Sequence, residues 1–296
     1  MNTRVKLVNG APTEPDRLHE IFHANTKHVW SQNQENAERI LRYLHTERSI
    51  RETIANLKVY RLAPQISLPP ATPLHMPVSD ALARRVSARQ FQSATLQLQQ
   101  VSTLLQHGLA CNRQAESAQV PGAMLNLRSY PSGGGLYPLE AYAVLLDVAG
   151  APRAVSHYDP VHHRLSVLRN IADLKTFSTV CLGDSSLVET ASLMLIFTSI
   201  FERSTVKYGD RGYRLCLLEA GHAAQNVCLC AAAMGLGSLV YGGFHDDAAA
   251  DWLGVEGLSE AVVHAVFVGG ASVGASGGPS ASTSGGKSAN TRAPTS

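Results

Sequence analysis

Apolar residues alternate between two periods along this chain. Over residues 35–57 they fall at Ile40, Leu41, Leu44, Ile50, Ile54 and Leu57, spacing that predicts helix up to about Tyr60. A second helix is predicted from Ser79, with Ser79 or Asp80 as cap. A third covers 95–109, with Leu98, Val101, Leu105 and Leu109 on one face. The longest covers 213–234, rich in Ala and Leu and ended by Gly235 and Gly237. Continuous apolar runs at 139–146, 192–201 and 262–268 read as buried strands. Tyr158-Asp159-Pro160, between two strand-like runs in 155–168, signals a hairpin.

Punctuation divides the chain. Five prolines in 64–77 rule out helix there and make that segment an extended connector. After Gly270 the residues are mostly Gly, Ser, Ala and Thr, a composition that cannot bury a core. The expected organisation is an N-terminal helical segment with connector (1–77), a main domain (78–270) and a flexible tail (271–296). Loose alternation of helices and strands leaves α+β and α/β both open.

Composition narrows the function classes. Of 296 residues, 45% are hydrophobic and 16% charged, which suits a folded core and excludes a disordered chain. A net charge of +2 gives no global basic field for nucleic acid. The five cysteines are odd in number and sit mostly in apolar surroundings, which fits reduced thiols. No signal-like run opens the chain, and the longest apolar run is about half a membrane span. The expectation is a cytoplasmic protein without membrane or nucleic-acid partners.

Four segments carry candidate chemistry. Arg85-Val86-Ser87-Ala88-Arg89 aims two guanidinium forks and a hydroxyl at one point, whether extended or helical, a donor set suited to a phosphate monoester. Arg128-Ser129-Tyr130-Pro131-Ser132-Gly133-Gly134-Gly135 leads into a strand; its glycines let backbone approach a planar ligand. The segment lacks the P-loop ending and is no Rossmann fingerprint. Lys207-Tyr208 lies among Arg203, Arg211 and Arg214, cations expected to push both groups toward proton acceptance. Gly242-Gly243 again permits close backbone approach. Each segment alone also reads as an ordinary turn or solvated surface. His19-Glu20-Ile21-Phe22-His23 matches the H-E-x-x-H zinc pattern, but the extended form fails at Thr26 and Val29, so no metal is expected.

Taken in order, these segments resemble the nitroreductase-like flavoprotein superfamily, and within it the SagB/McbC-type azoline dehydrogenases. The likeness rests on Arg85-x-Ser87-x-Arg89-x-Phe91, Arg128-x-x-Pro131-Ser132-x-Gly134-x-Leu136-Tyr137-Pro138-x-Glu140, Lys207-Tyr208-Gly209-Asp210-Arg211-Gly212-Tyr213-Arg214, Leu218-Glu219-Ala220-Gly221-His222-x-x-Gln225-Asn226 and Gly242-Gly243-Phe244-x-Asp246-Asp247. Phe22-His23-x-x-Thr26-Lys27 resembles a further segment of that subgroup and accounts for the zinc-like pattern. The resemblance implies an α+β fold with a central mixed sheet flanked by helices and FMN at a homodimer interface. Arg85, Ser87 and Arg89 then hold the phosphate, and Arg128, Pro131, Ser132, Gly133, Gly134, Gly242 and Gly243 lie along the cofactor. Lys207 and Tyr208 match the catalytic pair. Val86 departs from the pattern, where many relatives carry a second basic residue. The implied reaction is oxidation of thiazolines or oxazolines to thiazoles or oxazoles in a peptide. Lys207 or Tyr208 takes the proton, oxygen is the final acceptor, and the enzyme works in complex with a cyclodehydratase. An NAD(P)H-dependent nitro- or quinone reductase and a non-catalytic scaffold subunit remain as alternatives.

Overall fold

In the computed structural model, which describes residues 18–271 apart from 56, 119 and 184, the buried apolar runs pair into one sheet. The elements run α1 (Leu18–Asn25), α2 (Asn33–Leu44), α3 (Glu47–Ala55), β1 (Gln65–Ser67), α4 (Val78–Arg84), β2 (Leu96–Gln97), α5 (Leu98–Leu109), β3 (Cys111–Glu116) and β4 (Met124–Arg128). They continue with β5 (Leu139–Leu145), β6 (Val148–Ala149), β7 (Ala154–Asp159), β8 (Arg164–Asn170), α6 (Leu174–Ser178), α7 (Ser186–Thr190) and β9 (Leu193–Ile200). Last come α8 (Glu202–Tyr208), α9 (Arg211–Ala233), β10 (Leu236–Tyr241), α10 (Asp246–Leu253) and β11 (Glu260–Gly270).

The main sheet has the order β1-β8-β7-β5-β9-β11-β10. The expected α+β class holds. The sheet expected as mixed is antiparallel at all six pairings of its seven strands, and among the described residues parallel pairing is confined to the two-residue β2–β6 ladder and a Ser87–Ser238 bridge. A hairpin joins β7 to β8 and a short return joins β5 to β7, links that favour antiparallel pairing.

Both faces of the sheet are buried, which is why its central strands read as continuous apolar runs. Alternate residues serve opposite cores. Leu139, Ala141, Ala143 and Leu145 of β5 face α5 and α9, while Tyr142 and Val144 face the side of α6, α7 and α10. Small residues on α9 (Ala220, Ala223, Ala224, Ala231) let that helix lie close to the sheet. A Cβ on Gly108 of α5 would come within 3.2 Å of Val227, so glycine sets the α5–α9 approach. By length and composition α9 could cross a membrane, but its buried face is core.

Two boundaries moved. The helix expected to be capped by Ser79 or Asp80 begins at Val78 after Pro77; both polar residues lie in its first turn, and proline has no cap side chain. The helix expected from residue 95 starts at Leu98, because Leu96 and Gln97 pair with β6. The proposed tail lies outside the described residues beyond Ala271.

The N-terminal helices are tied to the sheet. Lys58 Nζ donates to Glu260 Oε2 (2.5 Å) and Tyr142 Oη (2.8 Å), and Ile50 and Ile54 of α3 pack on Val120 and Ala123 beside the β3–β4 hairpin.

Candidate active site

The loop before β5 is built by backbone chemistry few residues tolerate. Gly134 and Gly135 hold φ of +66° and +68°, and Tyr137 follows at +44°, a left-handed conformation costly for a side chain with a Cβ. Tyr137 is over-determined: its N–H donates to Ser132 Oγ (2.9 Å), its Oη accepts from the Arg128 N–H (3.0 Å), and its ring meets Tyr130 edge-on. Ser132, Gly133 and Gly134 therefore form a fixed shelf, with Gly133 seated on Leu215 of α9.

The α8–α9 corner brings the Lys-Tyr pair over this shelf. Gly209 ends α8 at φ +57°, and a Cβ on Gly212 would press to 2.9 Å against the Ser204–Thr205 backbone, so only glycine lets the helices meet this tightly. Buried Arg203 anchors α8 to β5 through Glu140 (2.6 Å), whose other oxygen bonds His157 Nε2 (2.7 Å). Burial raises the Glu140 carboxyl, but His157, Arg203 and Arg128 outweigh it and hold it at about 2. A Cβ on Gly134 would lie 2.5 Å from Tyr208 Oη and 2.7 Å from Lys207 Nζ. Two side chains with the right chemistry thus end directly above the glycine shelf.

Their electrostatics differ from the expectation. Arg203 is committed to Glu140; Arg211 and Arg214 are drawn to α1, where they bond the Thr26 carbonyl (3.1 Å), Thr26 Oγ1 (2.6 Å) and the His23 carbonyl (2.6 Å). Lys207 is lowered by burial, not by cations. Tyr208 moves the other way, raised by burial and by Tyr43, so the expectation that both groups shift toward proton acceptance holds only for the lysine.

The remaining candidates form a second group. Ser87 bridges Ser238 of β10, and the Ala88 N–H donates to the Ser238 carbonyl (2.9 Å). Arg85, half-buried, and exposed Arg89 have no hydrogen-bond or ion-pair partner among the described residues. β10 leads on to Gly242 and Gly243; a Cβ at Gly242 would meet open space, and the Gly243 carbonyl accepts from the Leu182 N–H (2.6 Å). Arg85 lies close enough to Cys228 of α9 to pull against the rise that burial gives that thiol. Cys228 and Leu215 are 13 residues apart on α9, about 20 Å. One chain therefore keeps its arginine pair and its glycine shelf at opposite ends of the helix.

Arg128 departs from its expected place along a cofactor. Its guanidinium is buried and donates to Tyr130 Oη (2.7 Å) and the Leu139 carbonyl (2.8 Å), bracing the shelf from beneath. On α1, His19, Glu20 and His23 are exposed, and among the described residues no three metal-binding side chains converge.

Glu219 was not singled out from the sequence. It sits on the buried face of α9 with Cys216, Ala220 and Ala223, and an acid at those helical intervals was the available signal. Its Oε1 is buried with no hydrogen-bond partner among the described residues. Burial pushes the carboxyl up to about 7, against the pull of the Ser132 hydroxyl, Arg128 and Arg203. A carboxyl raised in the folded state costs nothing while both states are protonated, and its cost grows as pH climbs from about 4.5 to 7. Glu219→Gln should therefore gain on the wild type with rising pH. The gap in unfolding free energy is expected to widen by roughly 2–3 kcal/mol between pH 5 and pH 8. Urea denaturation at the two pH values measures it, and a constant gap would show that Glu219 ionises freely.

A family model for the nitroreductase family matches residues 82–270. The chain belongs to the nitroreductase family. An archaeal protein of Methanocaldococcus jannaschii described as a nitroreductase is 34% identical over 174 residues, 57% of this chain and 80% of that one. The microcin B17-processing protein McbC of Escherichia coli is 31% identical over 159 residues, 52% of this chain and 58% of McbC. The chain thus spans little more than half of that relative. Among solved structures, a nitroreductase-like protein of Anabaena variabilis matches with a TM-score of 0.66 at 23% identity, over 84% of this chain and 45% of the other. A chain of the E. coli microcin synthetase McbBCD complex with truncated pro-MccB17 bound matches with a TM-score of 0.56 at 22% identity, over 86% and 92%. These two likenesses concern the fold. This nitroreductase-family chain is an oxidoreductase by membership, and its α+β fold, a sheet with helices on both faces, agrees with the class its motifs implied.

Proposed function

We propose that the chain is an FMN-dependent dehydrogenase that oxidises thiazolines or oxazolines in a peptide to the aromatic azoles. The observation that carries this reading is the placement of Lys207 Nζ and Tyr208 Oη together above Gly134. The sequence likeness to McbC supports the peptide substrate, and supports work alongside a cyclodehydratase that forms the azoline.

The residues present fit FMN. Arg85 and Arg89, without hydrogen-bond or ion-pair partners among the described residues, and the Ser87 hydroxyl suit a phosphate dianion. The bare backbone of Gly133–Gly134 and Gly242–Gly243 suits a flat ring. The two groups stand too far apart on one chain to grip one small molecule end to end, which favours a site completed by a second copy. Exposed apolar residues on α9 (Tyr213, Leu217, Leu218) and on neighbouring α4 (Val78, Leu82) offer the surface for such a homodimer. We assign the FMN unit to residues 78–270.

The azoline Cα–H is acidified by the adjacent carbonyl. Lys207, disfavoured as an ammonium by burial, accepts that proton as a neutral amine. Tyr208, held protonated, donates a hydrogen bond that orients the ring. FMN, when bound, supplies the acceptor for the hydride that leaves the azoline with two electrons. Lys207 returns its proton to solvent before the next turnover, and aromaticity of the product makes the oxidation downhill.

The test is spectroscopic. FMN titrated into the protein should be bleached anaerobically by an azoline peptide and not by NAD(P)H alone; bleaching by NAD(P)H with no response to azoline would make the chain a nitro- or quinone reductase. Arg85→Ala and Arg89→Ala should each weaken FMN by roughly 10- to 100-fold, from about 1.5–3 kcal/mol per charged hydrogen bond. Riboflavin, which lacks the phosphate, should bind all three proteins alike, and equal losses for both ligands would remove the phosphate assignment.

A further inference from the structure

Lys207 is 7% exposed, yet among the described residues no carboxylate lies within ion-pair distance of it. A buried amine with no counter-charge needs some other group to hold its position. The structure supplies two aromatic rings. Lys207 Nζ lies 5.3 Å from the ring centroid of Tyr208 and 5.1 Å from that of Tyr43, on α2 of the N-terminal segment.

Tyr43 is itself fixed. It is 7% exposed, and its hydroxyl is hydrogen-bonded to Thr53 Oγ1 on α3, which donates in turn to the Ser49 carbonyl (2.9 Å). Tyr43 also lines a cavity of 260 Å³ shared with Thr53, Leu136, Arg203 and Val206, a lining that does not include Lys207. The charged groups around Lys207 are engaged elsewhere: Arg203 with Glu140, Arg39 of α2 with Glu35, Arg211 of α9 with the Thr26 carbonyl, and Glu52, which approaches Tyr43 from α3, with Arg48. Asp210, at the start of α9, Glu202, in the first turn of α8, and Glu219, on the buried face of α9, are the other acids near the corner.

We propose that Tyr43 is a positioning residue of this site: its ring closes one side of an aromatic slot, with Tyr208 on the other, that holds the Lys207 amine above Gly134 and keeps cavity water from it. The N-terminal helices then complete the site instead of merely bracing the fold. The proposal rests on the reading of Lys207 as the base.

Two effects of the ring oppose each other. Its face attracts an ammonium by about 0.5–2 kcal/mol. Exclusion of water disfavours the ammonium by up to several pH units for a fully buried lysine. Burial holds Lys207 below the ordinary lysine value, the direction that exclusion gives.

The test is an NMR titration of the full chain labelled with [13Cε]-lysine, the Lys207 signal being assigned as the one lost in Lys207→Arg. Wild type and Tyr43→Phe should titrate alike, below ordinary lysine. Tyr43→Ala and Tyr43→Gln, which admit water or a polar group, should each raise the midpoint by roughly one pH unit. The glutamine variant keeps a long helix-favouring side chain and so reports even if the alanine variant does not fold. A midpoint unmoved in folded Tyr43→Ala or Tyr43→Gln overturns the proposal. The readout needs neither FMN nor azoline. A shifted midpoint in a protein that fails to oxidise azolines would sink the proposed reaction and leave the role of Tyr43 intact.

Discussion

Lys207→Ala is expected to lower kcat for azoline oxidation by 10²- to 10⁴-fold, the range for loss of a positioned general base. Tyr208→Phe should cost less, about 10- to 100-fold, the loss of one preorganised hydrogen bond. The pH dependence separates the two roles. A base works deprotonated, so the rate rises as pH climbs through its pKa. Burial sets that pKa below the ordinary lysine value, which brings the rising limb toward neutral pH. Tyr208 is raised by burial and by Tyr43 and stays protonated through that range. The rising limb should survive in Tyr208→Phe and vanish from the residual rate of Lys207→Ala. Profiles of kcat against pH for FMN-loaded protein decide the matter: a limb kept in Lys207→Ala and lost in Tyr208→Phe would make the tyrosine the base.

The sequence carried the fold through its predominantly apolar runs, because β5, β9 and β11 are buried on both faces and only a few polar residues, Glu140, Thr198 and His264 among them, interrupt them. It carried the shelf and the corner through glycine, since Gly134, Gly135 and Gly209 occupy conformations that leave few alternatives. What it could not carry was assembly across distance. Tyr43 lies on an early helix whose pattern says only that one face is buried, and nothing local points it at Lys207. The opposite shifts of Lys207 and Tyr208 were hidden for the same reason. Arginines next to them in sequence implied a cationic neighbourhood, but in space those guanidiniums bond Glu140 and α1. Arg128 misled similarly: the resemblance places it along the cofactor, and only the fold reveals Tyr130 and the Leu139 carbonyl beneath it. The separation of the arginine pair from the shelf along α9 likewise depends on packing that short motifs do not encode.

Gly134→Ala should remove activity while leaving the protein folded. The new Cβ would lie 2.5 Å from Tyr208 Oη and 2.7 Å from Lys207 Nζ, closer than non-bonded atoms allow. Both obstacles are the free ends of long side chains, so they are displaced and the backbone is spared. The left-handed φ of +66° adds about 1–2 kcal/mol of strain. Displacing the reacting groups by about 1 Å costs roughly 10²-fold in rate. Gly135→Ala separates the two effects. Gly135 shares the conformation, at φ +68°, but its Cβ would meet nothing within 4 Å. Both variants should therefore lose similar stability in urea, whereas only Gly134→Ala should lose kcat. Wild-type kcat in both variants would mean that the Lys-Tyr pair does not act from above the shelf. Loss in both by the same factor would trace the defect to loop strain. The expected split, matched stability with rates about 10²-fold apart, would tie turnover to the space above one glycine.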